Sequence, residues 1–384
     1  MKSSKDNMIY LNHAASSFPK PEEVVQAVTE ALQCPPLGQY RSVFDSRGQE
    51  GDITSCLRKR MGEILGVSNP ERIFFTSGAT QSLNMMIQGL GLSQSLVLVS
   101  EAEHNSVLRP LYNGGAAEVH VIPCDPTGHV RQEALRDMLA SGPAAVFINH
   151  CSNVTGAIQD MKRISGEIHK AGGILVADLS QSAGVIPLHL EEDQVDIGVF
   201  TGHKGLKGPQ GTGGFYIRKG LHVRPVFYGG TGKNSERLRY DDAWEGYEVG
   251  TQNGPGLAGL LAGVESVLSE GIDAIFTREN QKITSLHQRM QSIPGIHLYA
   301  PDPPEGPLFS FSLQGLTPQD TAYILYHGYG IVTRVGLHCA PLLVRAIHCP
   351  RQGSVRISIG TTTTEEEMDA FLQALQEIAG EGGK

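Results

Sequence analysis

From about residue 70 the chain alternates short apolar runs with longer segments whose apolar residues recur every three or four positions. The runs Arg72–Thr76, Leu96–Ser100, Glu118–Ile122, Ala144–Asn149, Gly173–Asp178, Val195–Phe200 and Gly214–Ile217 are largely apolar, a pattern that predicts strands buried on both faces. Between several of them, Gln81–Gly89, Arg131–Leu139 and Met161–Ala171 predict helices. Such alternation predicts an α/β fold with a mostly parallel sheet flanked by helices, whose ligands sit beyond the carboxyl ends of the strands.

The flanks read differently. Residues 1–20 predict an irregular arm, followed by a helix from Pro21 to Leu32 that Pro35-Pro36 stops, and by another from Gly51 to Leu65. A helix over Gly256–Leu268 is expected to lead into a smaller α+β unit. That unit comprises a helix at Ile272–Gln291, a strand at Leu308–Leu313, a helix at Pro318–Tyr326 and strands near Ile331–Arg334 and Ser354–Ile359. Its last helix opens on a capping-box pattern, Thr364 to Glu367, with Met368, Phe371, Leu372, Leu375 and Ile378 on one face. At 384 residues the chain exceeds what one core supports, so two domains are expected: a large one over 14–267 and a small one made of 1–13 and 268–384.

Composition narrows the classes. A net charge of -9, with no basic run, argues against a nucleic-acid surface, and no stretch of about 18 apolar residues predicts a membrane span. Met1 to Asn7 is polar and lacks the apolar core of a secretory signal, and the six cysteines show no paired spacing. Free thiols and a cytoplasmic location are the expectation.

The candidate chemistry lies at the strand ends. Lys204 sits between Gly202 and Gly205 after the run ending at Phe200, where apolar neighbours would desolvate its ammonium and free the lone pair for a carbonyl. The bland alternative is a solvated loop lysine. Asp178 ends another apolar run, with Gln181 following, and needs a cation or strong donor there; a helix cap or a metal carboxylate would also satisfy it, though no cluster of metal-ligand spacing lies nearby. A Lys and an Asp in these places suit pyridoxal 5'-phosphate (PLP), which needs a Schiff-base amine and a carboxylate on its ring nitrogen. Thr76-Ser77-Gly78-Ala79-Thr80 reads as a strand, turn and helix start able to cup an anion, or as a plain capped helix. His104, Asn153 and Thr251 follow further strands or turns. Cys339 lies on a Gly-containing loop flanked by His338 and Arg334, cations able to favour its thiolate, and Arg356 interrupts an apolar strand as a candidate partner for a carboxylate.

The ordered set Ala79-Thr80, His104, Asn153, Asp178, Gln181, Thr201, His203, Lys204, Thr251, Cys339 and Arg356 resembles the cysteine desulfurases, within the class V branch of fold-type I PLP enzymes, from Tyr10 to the last helix. The short Arg334-to-Cys339 loop is similar to the selenocysteine-lyase-like group. The resemblance implies that Lys204 binds PLP and moves the Cα proton, Asp178 faces the ring nitrogen, Gln181 touches the ring hydroxyl and His104 stacks on the ring. Thr80, Thr201 and His203 would hold the phosphate, with Thr251 reaching over from a second subunit of a homodimer. Asn153 and Arg356, near Arg334, would bind the substrate carboxylate, and Cys339 would take the sulfur of L-cysteine as a persulfide and pass it to an acceptor protein. A selenocysteine lyase acting on L-selenocysteine, another class V aminotransferase or C–S lyase, and a non-catalytic scaffold are the alternatives. Three departures from the family pattern stand out: Asn12-His13 where Asp and Asn or Ser are usual, Leu179-Ser180 where Gly-Ala is usual, and Leu337 before His338-Cys339. Cys349 is read as a bystander thiol.

Overall fold

The computed structural model describes residues 8–33, 53–231 and 236–381. Cys34, the Pro35-Pro36 stop, the Met1–Asn7 segment and the first residues of the helix expected from Gly51 lie outside them.

The chain opens with a two-residue strand, β1 (Ile9–Tyr10), and the helices α1 (Glu22–Gln33) and α2 (Ile53–Leu65). An alternating series follows: β2 (Ile73–Thr76), α3 (Ala79–Leu90), β3 (Leu96–Ser100), α4 (Asn105–Pro110), β4 (Val119–Ile122), α5 (Gln132–Leu139), β5 (Ala144–Asn149), α6 (Met161–Lys170), β6 (Ile174–Asp178), β7 (Ile197–Thr201) and β8 (Gly213–Ile217). These strands form one sheet in the order β2-β8-β7-β6-β5-β3-β4. Every pairing is parallel except those of β8, which runs antiparallel to both neighbours. The apolar runs follow from burial on both faces. Successive residues point to opposite sides, so Leu98, Val146, Ile148, Leu175 and Ala177 pack into one core while Val97, Val99, Phe147, Val176 and Val199 pack into the other.

The C-terminal part contains α7 (Gly254–Glu270), α8 (Ile272–Gln291), β9 (Ile296–Tyr299), β10 (Leu308–Leu313), α9 (Pro318–Tyr329), β11 (Ile331–Val332), β12 (Arg334–Gly336), α10 (Pro341–Ala346), β13 (Ser354–Ser358) and α11 (Glu365–Glu381). Its antiparallel sheet, β12-β13-β10-β9, shares a core with residues of α8, α9 and α11 that includes Phe309, Phe311, Ile357 and Phe371. The capping box forms as read: the Thr364 amide donates to Glu367 Oε2 at 2.9 Å and the Glu367 amide donates to Thr364 Oγ1 at 3.2 Å.

Two expectations need correction. The arm is not wholly irregular, because β1 pairs in parallel with β11, setting Ile9 opposite Ile331. The single strand expected near Ile331–Arg334 is two, since β11 pairs with β1 while β12 pairs with β13 in the four-stranded sheet. Thr333, between them, is where the chain leaves one sheet for the other.

Strand register places the chemistry. Asn149 is opposite Asp178 across β5 and β6, and Gly213 is opposite both Thr76 and Thr201. The carboxyl ends of β2, β5, β6 and β7 therefore lie along one edge of the sheet.

Candidate active site

That edge borders a cavity of about 450 Å³, whose wall includes Ala79, Thr80, His104, Asn153, Asp178, Gln181, Thr201, His203, Lys204 and Arg334. Ten of the sequence-derived candidates thus meet at one place. Thr251 does not: it is exposed in the turn before α7 and is not part of this wall. Cys339 and Arg356 are not part of this wall either, but each contacts a residue that is: Cys339 Sγ lies 3.3 Å from Arg334 Nη2, and Arg356 Nη1 donates to the Asn153 carbonyl at 3.0 Å.

Lys204 follows β7 on a turn that only a compact backbone permits. The Gly202 amide donates to the Thr212 carbonyl at 2.9 Å, and a Cβ on Gly202 would meet Thr212 Oγ1 at 2.1 Å. The lysine is half-buried because open space lies against its stem, yet loss of hydration pulls its ammonium down to about 8. Asp178 and Cys339 act against that shift, while Arg356 and Arg334 add to it. One amine is therefore in electrostatic contact with a carboxylate, a thiol and two guanidiniums from separate segments.

Asp178 accepts the Ser180 amide at 2.9 Å and the Ser180 hydroxyl, both on Oδ1, which leaves Oδ2 without a hydrogen bond among the described residues. His104 caps α4, its Nδ1 accepting the Ser106 amide at 3.0 Å. Burial pulls its imidazole down to about 4, with the Lys204, Arg334 and Arg356 cations adding to the shift and Asp178 opposing it, so the ring is neutral. Beside it, Glu103 is fully buried: its Oε1 accepts the Ser100 hydroxyl and the Asn149 amide, its Oε2 has no partner, and burial, with Asp178 nearby, lifts it to about 8. Nothing in the sequence pattern marked Glu103, because a Glu after a strand reads as surface.

Helix α3 starts without a side-chain cap, since Ser77 spends its amide and hydroxyl on Gln81 Oε1. Its first amides open onto the cavity beside Thr201 and His203, whose buried Nδ1 has no partner. Unpaired donors at the start of a twelve-residue helix make a receptor for an anion. Among the described residues, no group of three His, Cys, Asp or Glu side chains is placed to hold a metal ion.

Arg356 is 0% exposed on β13. It donates through Nη1 to the Asn153 carbonyl at 3.0 Å and through Nη2 to Asn12 Oδ1 at 3.3 Å, while its Nε and the Asn153 Oδ1 are both buried without partners. A buried guanidinium with neutral acceptors and no carboxylate is a costly arrangement that an anionic ligand relieves. Cys339 lies in a tight turn where both it and His338 have left-handed backbone, φ 59° and 50°. The turn is tied down: the Asn105 amide donates to the Cys339 carbonyl at 2.7 Å, and Asn153 Nδ2 donates to the His338 carbonyl at 2.6 Å. Arg334 Nη2 lies 3.3 Å from Cys339 Sγ. His338, expected as a second cation beside the thiol, is corrected to a neutral ring. It is 2% exposed, paired with Ser354 Oγ at 3.0 Å and pulled by burial to about 3. Cys349 is half-buried, and burial pushes its thiol up to about 11.

An α/β sheet with a desolvated lysine and a buried carboxylate at its carboxyl edge defines a class of carbonyl-coenzyme enzyme. Consistent with that class, the aminotransferase class-V family model matches residues 9–371, and the chain belongs to that family, whose members depend on PLP. Within it the chain groups with the cysteine desulfurases. It is 30% identical to a probable cysteine desulfurase of Methanothermobacter thermautotrophicus, over 97% of this chain and 95% of the relative. It is 28% identical to a cysteine desulfurase of Escherichia coli, over 97% and 93% respectively. Among solved structures, the apo cysteine desulfurase of Thermococcus onnurineus superimposes with a TM-score of 0.86 at 26% identity, over 97% of this chain and 95% of that one. The Escherichia coli cysteine desulfurase CsdA superimposes with a TM-score of 0.83 at 26% identity, over 98% and 96%.

Proposed function

We propose that the protein is a PLP-dependent cysteine desulfurase that converts L-cysteine to L-alanine and leaves the sulfur on Cys339 as a persulfide. The observation that carries this reading is the meeting of Lys204, Asp178 and Arg334 on one cavity wall, with Arg334 Nη2 3.3 Å from Cys339 Sγ. The residues present fit the coenzyme. The uncapped α3 terminus, with Ala79, Thr80, Thr201 and the unpartnered His203 Nδ1, suits a phosphate dianion, and the unengaged Asp178 Oδ2 suits a ring nitrogen. When bound, PLP supplies an electron sink for a carbanion at the substrate Cα.

The chain's own residues do the rest. With its ammonium held near 8, Lys204 serves as the attachment point and then carries the proton to and from Cα. His104 presents a neutral ring face, and Gln181, whose Nε2 already donates to the Ala14 carbonyl at 3.1 Å, would hold the ring hydroxyl with its remaining groups. The free Nε of Arg356 takes the substrate's carboxylate, with Asn153 beside it holding the guanidinium through its carbonyl. Arg334 steadies the sulfur of Cys339 as its thiolate attacks the substrate sulfur. The substrate C–S bond breaks as the S–S bond forms, and solvent and Lys204 return protons to carbon. One sulfur atom changes hands with no external oxidant or reductant. Because the Cys339 turn is pinned, an acceptor protein has to approach it.

By the same reading the enzyme is a cytoplasmic homodimer, divided as 14–267 and 1–13 with 268–384, in which Thr251 completes the phosphate site of the other subunit. Cys339→Ala tests the proposal. Coenzyme absorbance should be kept while persulfide and sulfide formation from L-cysteine is lost; unchanged sulfide release would refute it, and survival of activity on L-selenocysteine alone would assign a selenocysteine lyase.

A further inference from the structure

A second cavity, of about 250 Å³, lies on the other side of Lys204, between the N-terminal arm and α8. Val185, Ile275, Pro307 and Ile359 give it apolar walls, and Lys20 and Glu279 are polar groups from two different elements. Glu279 is only 3% exposed and lies one helical turn from Ile275, which also borders the cavity. Its carboxyl makes no hydrogen bond or ion pair with the described residues. The cations around it are already engaged: Lys207 with Glu270 at 2.9 Å, Arg278 with Glu270, and Lys282 with the Thr363 carbonyl at 2.6 Å. Lys20 donates to Ser17 Oγ and to the His203 carbonyl, both at 2.8 Å, so one of its three N–H groups is uncommitted. A carboxyl in a buried position has lost most of its hydration and gained no protein partner in return, an imbalance that a cationic ligand group would offset.

We propose that this cavity is a separate binding site for a small α-amino acid with an apolar side chain, its ammonium on Glu279 and its carboxylate on Lys20. A zwitterion answers both ends, whereas an amine alone would leave the Lys20 cation unmet and a carboxylate alone would leave Glu279 unmet. Burial pushes Glu279 up to about 8 and Lys20 down to about 8, so with the cavity empty at pH 7 the acid is protonated. Ligand binding then ionises Glu279 and releases about one proton, and affinity rises as pH climbs from 6 toward 8. His13, which also lines the cavity from the arm, is pulled by burial to about 4 and stays neutral throughout. Lys204 and Gln181 border both cavities, which gives an occupant a direct route to the reaction centre.

The test is calorimetry on purified enzyme whose Lys204 has been blocked by borohydride reduction, with L-valine, isobutylamine and isobutyrate as probes in two buffers of different ionisation enthalpy. L-valine should bind once per chain, at least tenfold tighter than either singly charged probe, and release about one proton at pH 7. Glu279→Gln and Lys20→Met should each weaken it at least tenfold, while coenzyme absorbance of Glu279→Gln is unchanged. Absence of L-valine binding, indifference to both substitutions, or equal binding of isobutyrate would overturn the proposal. Coenzyme absorbance reports the PLP assignment separately, so the two ideas fail in different readouts.

Discussion

Replacing Asn12 by Asp separates the two duties of the buried Arg356. Asn12 Oδ1 lies 3.3 Å from Arg356 Nη2, and among the described residues the fork's only other bond goes to the Asn153 carbonyl. The guanidinium therefore keeps its full charge for a ligand, at a cost in burial that lowers its pKa from the ordinary arginine value. A carboxylate at position 12 would form an ion pair there. Two unit charges at about 4 Å attract by about 4 kcal/mol at an effective dielectric of 20, and desolvating the new carboxylate offsets part of that. A net pairing of about 1–3 kcal/mol remains, typical of a hydrogen bond to a charged group. The substrate carboxylate, arriving at the free Nε, would then meet a guanidinium whose charge is already neutralised, so the KM for L-cysteine should rise roughly 10- to 100-fold, at about 1.4 kcal/mol per decade. The reacting atoms are untouched, so kcat should change little, and the folded protein should melt at a higher temperature. Alanine release under steady state and a thermal melt measure both. An unchanged KM, or a lower melting temperature with a lower kcat, would refute the assignment of Arg356 as a charge held ready by neutral neighbours.

Lys204→Ala should yield protein without the visible absorbance of a lysine-linked coenzyme, and a persistent band would move the attachment elsewhere. Glu103, ordinarily near 4.5, is held at about 8 in the fold, so the unfolded chain sheds its proton first as pH rises. Its contribution to stability is intact below about 4.5 and is lost as pH rises to about 8. Glu103→Gln should flatten that decline by up to about 1.4 kcal/mol per pH unit, read from urea midpoints across the range. A Cβ on Gly198 would meet Leu190 Cδ1 at 2.7 Å and Leu179 Cδ1 at 3.0 Å, so Gly198→Ala should cost about 1–3 kcal/mol. Adding Leu179→Ala should recover part of this non-additively in urea denaturation; strict additivity would show that the two do not compete for space.

The large sheet was legible because its strands are buried on both faces and so read as unbroken apolar runs, with boundaries wrong by a residue or two at β7 and β4. Strand β9, Ile-His-Leu-Tyr at the edge of the small sheet, escaped notice because half of its positions are polar. Helices α4 and α10, six residues each, are too short to show a period. The residues facing the first cavity were readable because strand ends and glycine turns announce them. The second cavity was not, since its walls come from an arm, a long helix and two loops whose meeting no local pattern encodes. Glu279, between Arg278 and Lys282's turn, looked like ordinary helix surface, and His338 looked like a cation because sequence does not show that burial keeps its ring uncharged.

The parallel pairing of Ile9–Tyr10 with Ile331–Val332 bears on how the molecule is made. On a ribosome the first strand emerges hundreds of residues before its mate, and the Asn12–Arg356 corner cannot close until Arg356 itself has emerged. A nascent chain that stops short of β13 thus holds Asn12 without the guanidinium it pairs with, and the corner between the arm and the small sheet is assembled only when those distant segments coexist.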